Sequence, residues 1–153
     1  MAFLSSFNIV SSGLTAQQLR MDVVSENVAN MNTTRTEDGE SYRRKMVVFE
    51  AQGGRDSFRL ALSEAIGGTV SNQEYTATGG VMVTEIVEDP SDLKMVYDPS
   101  HEDADEFGYV HYPNVDLVVE MADAMAASQA YSANVTILNL MKSITAKGLE
   151  IGR

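Results

Sequence analysis

The chain has 153 residues, 44% of them hydrophobic, which is enough to build one compact domain or two small ones. Its formal net charge of −11 argues against a nucleic-acid groove and against an anionic membrane surface, because both need clustered Lys and Arg. Cys is absent, so there is no disulfide, no thiolate metal site and no cysteine nucleophile.

The first predicted element is a helix from Phe3 to Met31. Phe3, Phe7, Val10, Leu14, Gln17, Met21, Val24, Val28 and Met31 recur in four-three alternation, with Gln17 the one polar member. A 3.5-residue period kept over about four heptads is a coiled-coil seam rather than an ordinary surface helix. Gly13 inside it costs roughly 1 kcal/mol against Ala, which signals close approach of another backbone. Asn27, Asn30 and Asn32, then Thr33 and Thr34, read as the helix end and an exit loop. The residues Met1 to Ser5 lack the basic region and continuous apolar core of a secretory leader, so any export is expected to use a route without one.

Gly39 follows in an Asp-Gly turn, and Tyr42 to Glu50 reads as a strand. Gln52 to Gly80 is bracketed by glycine pairs; its periodicity is weak, a short helix is expected at Asp56 to Ile66, and mobility is expected around it. Val81 to Val87, Leu93 to Tyr97 and Tyr109 to Tyr112 read as three more strands, with Pro90 and Asp98-Pro99 ending the first two. Pro113 and Asn114 announce a long helix reaching Leu149. Asn114 is expected as its N-cap, Asp116 and Glu120 suit the positive end of the dipole, and Lys142 and Lys147 suit the negative end. Its uncharged run from Ala124 to Met141 holds too many Ser, Asn and Gln residues to span a bilayer.

This second helix is apolar on two faces. One row, Val119, Ala122, Ala126, Ala133, Ile137, Leu140 and Ile144, is expected to be the seam against the first helix. A second, Leu117, Met121, Ala124, Tyr131, Val135 and Leu138, is then surplus. Burying a side chain of Leu or Met size contributes roughly 1.5–3 kcal/mol, so a surplus row needs a cover, either the middle of the chain or another subunit. The expected fold class is α+β: long terminal helices paired as a coiled-coil-like hairpin, with a small β-rich insert between them. Residues 1–34 and 114–153 form the helical assembly domain, 35–113 form the insert, and 52–79 are a flexible elaboration. The candidate subunit-interface residues are Phe3, Phe7, Val10, Leu14, Met21, Val24, Val28, Met31, Val119, Met125, Tyr131, Ile137, Leu140 and Ile144.

No residue pattern points to catalysis, a cofactor or a metal. His101 and His111 are the only histidines, and Glu102, Asp103, Asp105 and Glu106 beside the first read as a solvated acidic loop. A calcium-loop reading from Asp103 fails, because Phe107 and Asn114 stand at ligand positions. Ser91 and Lys94 have the spacing of a serine-lysine nucleophile pair but follow Pro90 in a strand-turn region rather than opening a helix.

Several blocks resemble the bacterial flagellar axial protein family. Ser12-Gly13-Leu14-Thr15-Ala16-Gln17 and Ser25-Glu26-Asn27-Val28-Ala29-Asn30 resemble its N-terminal signature, a heptad helix ending in an Asn-rich turn. Tyr42-Arg43-Arg44-Lys45, Val96-Tyr97-Asp98-Pro99, Tyr112-Pro113-Asn114-Val115 and Ala130-Tyr131-Ser132-Ala133-Asn134 are similar to the proximal rod proteins within it. Only Gln52 to Gly79 has no counterpart. The resemblance implies a non-enzymatic subunit of the flagellar rod, located in the basal body, that polymerises through its terminal helices and transmits torque. It implies as partners further copies of the chain, rod proteins of the FlgB, FlgF and FlgG types, the rod-adjacent protein FliE and the flagellar type III export apparatus. The competing reading of a two-faced helix is an adaptor or export chaperone that captures a partner helix.

Overall fold

The computed structural model describes residues 2–52 and 79–151. The short helix expected at Asp56 to Ile66 and the side chain of Phe3 therefore lie outside the described residues. Along the chain come helix α1 (Ala2–Ala29), strands β1 (Lys45–Ala51), β2 (Val81–Glu88), β3 (Lys94–Tyr97) and β4 (Tyr109–Tyr112), and helix α2 (Leu117–Ile151). The fold is α+β, two long terminal helices with small sheets between them: β1 pairs with β2, and β3 with β4. The chain divides into two compact units, one of Met1–Ala16, Phe49–Val83 and Tyr131–Arg153, the other of Gln17–Val48 and Thr84–Ala130.

In the first unit, α1 buries Val10 and Ala16. At Gly13 the two helices of this unit are in close contact: a Cβ there would stand 3.0 Å from Nδ2 of Asn134 on α2. The close approach read from the sequence is therefore to a side chain amide and not to backbone. Ser12 turns its hydroxyl oxygen to accept a hydrogen bond from Val81 N at 3.1 Å, tying the start of β2 to α1. Beside it Gly80 has φ +151, and a Cβ would meet Ser12 Oγ at 2.7 Å, so only glycine fits.

In the second unit a buried polar knot holds α1, β1 and α2 together. Asn27 is 1% exposed and Glu120 not at all. The Asn27 amide meets its full hydrogen-bonding capacity. Its Nδ2 donates to Lys45 O at 2.9 Å and to Glu120 Oε2 at 3.0 Å. Its Oδ1 accepts from the Tyr42 hydroxyl and from Lys45 N, each at 2.9 Å. Arg44 Nε then donates to the other Glu120 oxygen at 2.6 Å, and Arg44 Nη1 lies 3.6 Å from Asp89 Oδ2. Hydrogen bonds and the charges of Glu120 and Asp89 outweigh the burial of Arg44 and raise its pKa, so the guanidinium stays charged. Above this knot Arg20 pairs with Asp123. The α1 partners advance from 20 to 27 while the α2 partners fall back from 123 to 120, so within this unit the helices run antiparallel.

Two local expectations change. The α2 N-cap is Asp116, whose Oδ1 accepts from Val118 N at 2.9 Å and whose carbonyl accepts from Glu120 N. Asn114 is not the cap, because its side chain is spent elsewhere. It accepts from Arg44 N at 2.8 Å and donates to Ser91 Oγ at 2.8 Å, which anchors the β2–β3 turn. Strand β1 starts at Lys45 rather than Tyr42, since Tyr42 N is drawn to Thr33 O and its hydroxyl into the knot. At the α1 exit, Asn30 Nδ2 donates back to Glu26 O at 3.0 Å, satisfying a terminal carbonyl.

Removing Glu120 leaves Arg44 and the Asn27 amide short of a partner inside the protein. Glu120→Ala is expected to destabilise the chain by roughly 3 kcal/mol, the scale for breaking a buried ion pair. Chemical denaturation of the purified monomer measures it. The knot also sets an alkaline limit. Burial foremost, then the charges of Glu26, Glu120 and Glu88, push the Tyr42 pKa from 10.0 up to about 12. A raised folded-state pKa means stability is complete below pH 10 and falls as pH climbs from 10 to about 12. Tyr42→Phe is expected to be somewhat less stable at neutral pH and to show a shallower loss over that window, read from thermal melts at stepped pH.

Candidate assembly surface

The polar cross-ties decide which face of α2 looks inward. In the second unit Glu120 bonds Asn27 on α1 and Arg44 just ahead of β1, Asp123 pairs with Arg20 on α1, and Ala127 is completely buried. In the first unit Asn134 faces Gly13, and Tyr131, Val135, Leu138 and Met141 are half-buried. The inward stripe of α2 therefore holds Ala124, Tyr131, Val135 and Leu138 from the row read from sequence as surplus, while Leu117 and Met121 of that row are exposed. The row read as the seam faces out: Val119, Ile137, Leu140 and Ile144 are 45–58% exposed. That assignment is corrected here, and the reason is electrostatic. Turning the outer row inward would strip Glu120 and Asp123 of their partners, and an unpaired charge in the interior costs several kcal/mol.

Of the other candidates, Met125 is exposed and Tyr131 half-buried, while Val10 and Val24 are buried in the chain's own packing. Phe7, Leu14, Met21, Val28 and Met31 are half-buried on α1. In the second unit Val118, Met121 and Met125 widen the outer α2 face. Sequence reading missed the knot residues Asn27, Tyr42, Arg44 and Glu120. The one signal for them was polar residues at buried helix positions, and hydropathy alone does not register their pairing.

The polar residues weighed for chemistry are engaged elsewhere. Ser91 Oγ accepts from Asn114, and Lys94 Nζ donates to Val115 O at 2.6 Å, so Ser91 and Lys94 form no pair. His101 Nδ1 accepts from Asp103 N at 3.1 Å, and His111 Nε2 lies 4.0 Å from Asp105. Among the described residues no three His, Asp or Glu side chains converge as a metal site, and no helix is long and apolar enough to cross a membrane. An open groove of about 590 Å³ is lined by Arg35, Arg43, Glu40, Glu102, Asp103 and His111, charges of both signs among which Arg35 pairs with Asp103 at 3.7 Å.

Comparison with known proteins places this geometry in context. A family model described as Flagella basal body rod protein matches residues 7–35, and one described as Flagellar basal body rod FlgEFG protein C-terminal matches residues 108–151. The chain is 45% identical to the flagellar basal-body rod protein FlgC of Bacillus subtilis over the full length of both. It is 42% identical to the FlgC of Borreliella burgdorferi, covering 99% of this chain and 98% of that one. It is 40% identical to the FlgC of Escherichia coli O6:H1, again over the whole of each.

The exposures are open to direct chemical measurement. Dilute peroxide is expected to oxidise Met95, Met121 and Met125, each more than half exposed, well before the half-buried Met21, Met31 and Met46. Peptide mapping by mass spectrometry on the isolated chain gives the order.

Proposed function

The chain belongs to the family of flagellar basal-body rod proteins FlgC, and from that premise we propose that it polymerises through the outer face of α2. It is a structural subunit of the basal-body rod, not an enzyme, and it assembles with itself and with other rod components. The proposal concerns how. The observation that carries it is the outward row of α2: a 3.5-residue repeat of Val, Ala, Ile and Leu in which the Val, Ile and Leu members are exposed in the single chain. Such a repeat is the geometry a neighbouring helix packs into, knobs into holes. An exposed row of large aliphatics in an isolated chain is a liability that assembly removes.

On this reading residues 1–34 and 114–153 form the assembly domain and 35–113 adjust packing between neighbours, with 52–79 an elaboration outside the helical contacts. Phe7, Leu14, Met21, Val28 and Met31 on α1 add partly open apolar surface to the same purpose. The neighbours are further copies and rod proteins of the FlgB, FlgF and FlgG types, with FliE at the base, and the subunit reaches them through the flagellar type III export apparatus. Helices packed side by side along such rows resist shear between subunits, which suits a shaft that carries torque from motor to hook.

Two substitutions separate assembly from folding. Ile137→Asp adds a charge to an exposed position, so the purified chain is expected to keep its helix content and melting temperature while cells lose swimming and intact basal bodies. Val24→Asp places an unpaired charge inside the chain, costing several kcal/mol, so that variant is expected to fail at the folding stage. Motile cells carrying Ile137→Asp at normal protein levels would show that the outer row is not a subunit interface.

A further inference from the structure

A second surface, of different chemistry, lies on the β3–β4 hairpin of the second unit. The strands pair antiparallel with Met95 opposite His111, Val96 opposite Val110 and Tyr97 opposite Tyr109. Cross-strand partners share a face and faces alternate along a strand. Val110 is completely buried while Val96 opposite it is 47% exposed, and Met95, Tyr97, Tyr109 and His111 form the other face. On it Met95 and Tyr97 are 67% and 65% exposed, and Phe107 at the tip of the connecting loop is 79% exposed.

The Tyr97 and Tyr109 rings are held in place, and the backbone at Phe107 is anchored. Tyr97 and Tyr109 meet edge to face with centroids 5.3 Å apart. Gly108, at φ +80, lies so close to the Tyr97 ring that a Cβ would stand 3.0 Å from Cε2. The Asp105 carboxylate accepts from Phe107 N and Tyr109 N, each at 2.8 Å, and Asp98 accepts from Ser100 N and Oγ. A platform already ordered loses little conformational freedom on binding. The loop that joins the strands, residues 98–108, contains Asp98, Glu102, Asp103, Asp105 and Glu106 and no Lys or Arg. Asp103 of this loop already pairs with Arg35, and aromatic faces beside the remaining acids suit a cation.

We propose that the outer face of the β3–β4 hairpin docks an arginine-bearing segment of a neighbouring rod protein. The reading rests on the assembly function above and names a partner chemistry for a surface that the helices do not use. Arginine fits better than lysine because its planar guanidinium stacks on a ring while its fork reaches a carboxylate. The described arginines of this chain are not its source. Among the described residues Arg20, Arg35, Arg43 and Arg44 are all engaged inside their own chain, with Asp123, with Asp103, with the Asp89 and Ser91 carbonyls, and with Glu120.

The test titrates the full-length, isotope-labelled chain with a capped peptide of alternating arginine and glycine, followed by NMR. Parallel arms use the lysine counterpart and a disaccharide-peptide fragment of bacterial cell wall. The proposal expects shifts confined to residues 95–97 and 105–111, binding about threefold weaker with the lysine peptide, and loss of the shifts in the Tyr97→Ala/Phe107→Ala double variant. Shifts spread evenly over all acidic surface, or unchanged in the double variant, would overturn it. Saturation by the cell-wall fragment with no response to arginine would overturn it too and assign the face to glycan. None of these outcomes bears on the helical interface, which Ile137→Asp tests separately.

Discussion

A carboxylate with no solvent exposure, at the first turn of a helix, is the constraint from which the rest of this structure follows. Glu120 must keep its charge satisfied, and its two oxygens find Arg44 just ahead of β1 and Asn27 on α1. Those bonds fix the rotation of α2 about its axis. Once the rotation is fixed, Ala127 is completely buried, and the row that includes Val119 and Ala126 is held outward. Arg44 and Asn114 extend the tie to Asp89 and Ser91, so the end of β2 is referenced to the same point. Breaking one partner of such a pair is expensive because the survivor stays buried.

The result is an unusual division of polarity. Inside the second unit Asn27, Glu120 and Tyr42 are buried polar side chains, and the partly exposed Arg44–Asp89 pair lies beside them. Outside, Val118, Met121, Met125, Ile137, Leu140 and Ile144 carry large apolar area into solvent. Buried polar networks specify one arrangement without adding much net stability, whereas apolar surface stabilises whatever covers it. A subunit that must hold one shape yet join others benefits from that order: polar bonds define the protomer, and apolar area is left for the polymer.

Two kinds of surface result, and they differ in what they can discriminate. A Val, Ala, Ile and Leu row accepts any helix of matching period, so it favours the shared architecture of rod proteins. The hairpin face, with rigid rings and carboxylates, discriminates by charge and by the shape of a cation. The chain's net charge of −11 makes that second term relevant, since unpaired acids between like subunits would repel.

The sequence alone determined the order of elements, because periodicity is a local property. The four-three spacing of α1, the alternation of Val81 to Val87, and the prolines at 90, 99 and 113 report secondary structure without reference to anything distant. Blocks such as Ser25-Glu26-Asn27-Val28 carried the family as well. The sequence also contained the outer row of α2 as a helically spaced apolar row, but not the direction in which it points, since two adjacent rows of that helix are both apolar. Only the tertiary structure decided that direction, through contacts across gaps of 93 and 103 residues, Asn27 with Glu120 and Arg20 with Asp123. The same holds for Asn114, which has the local chemistry of an N-cap but bonds Arg44 and Ser91, leaving Asp116 to cap the helix. Hydropathy says how much surface a helix wants to bury, and the placement of its few charged partners decides which side is buried against its own chain.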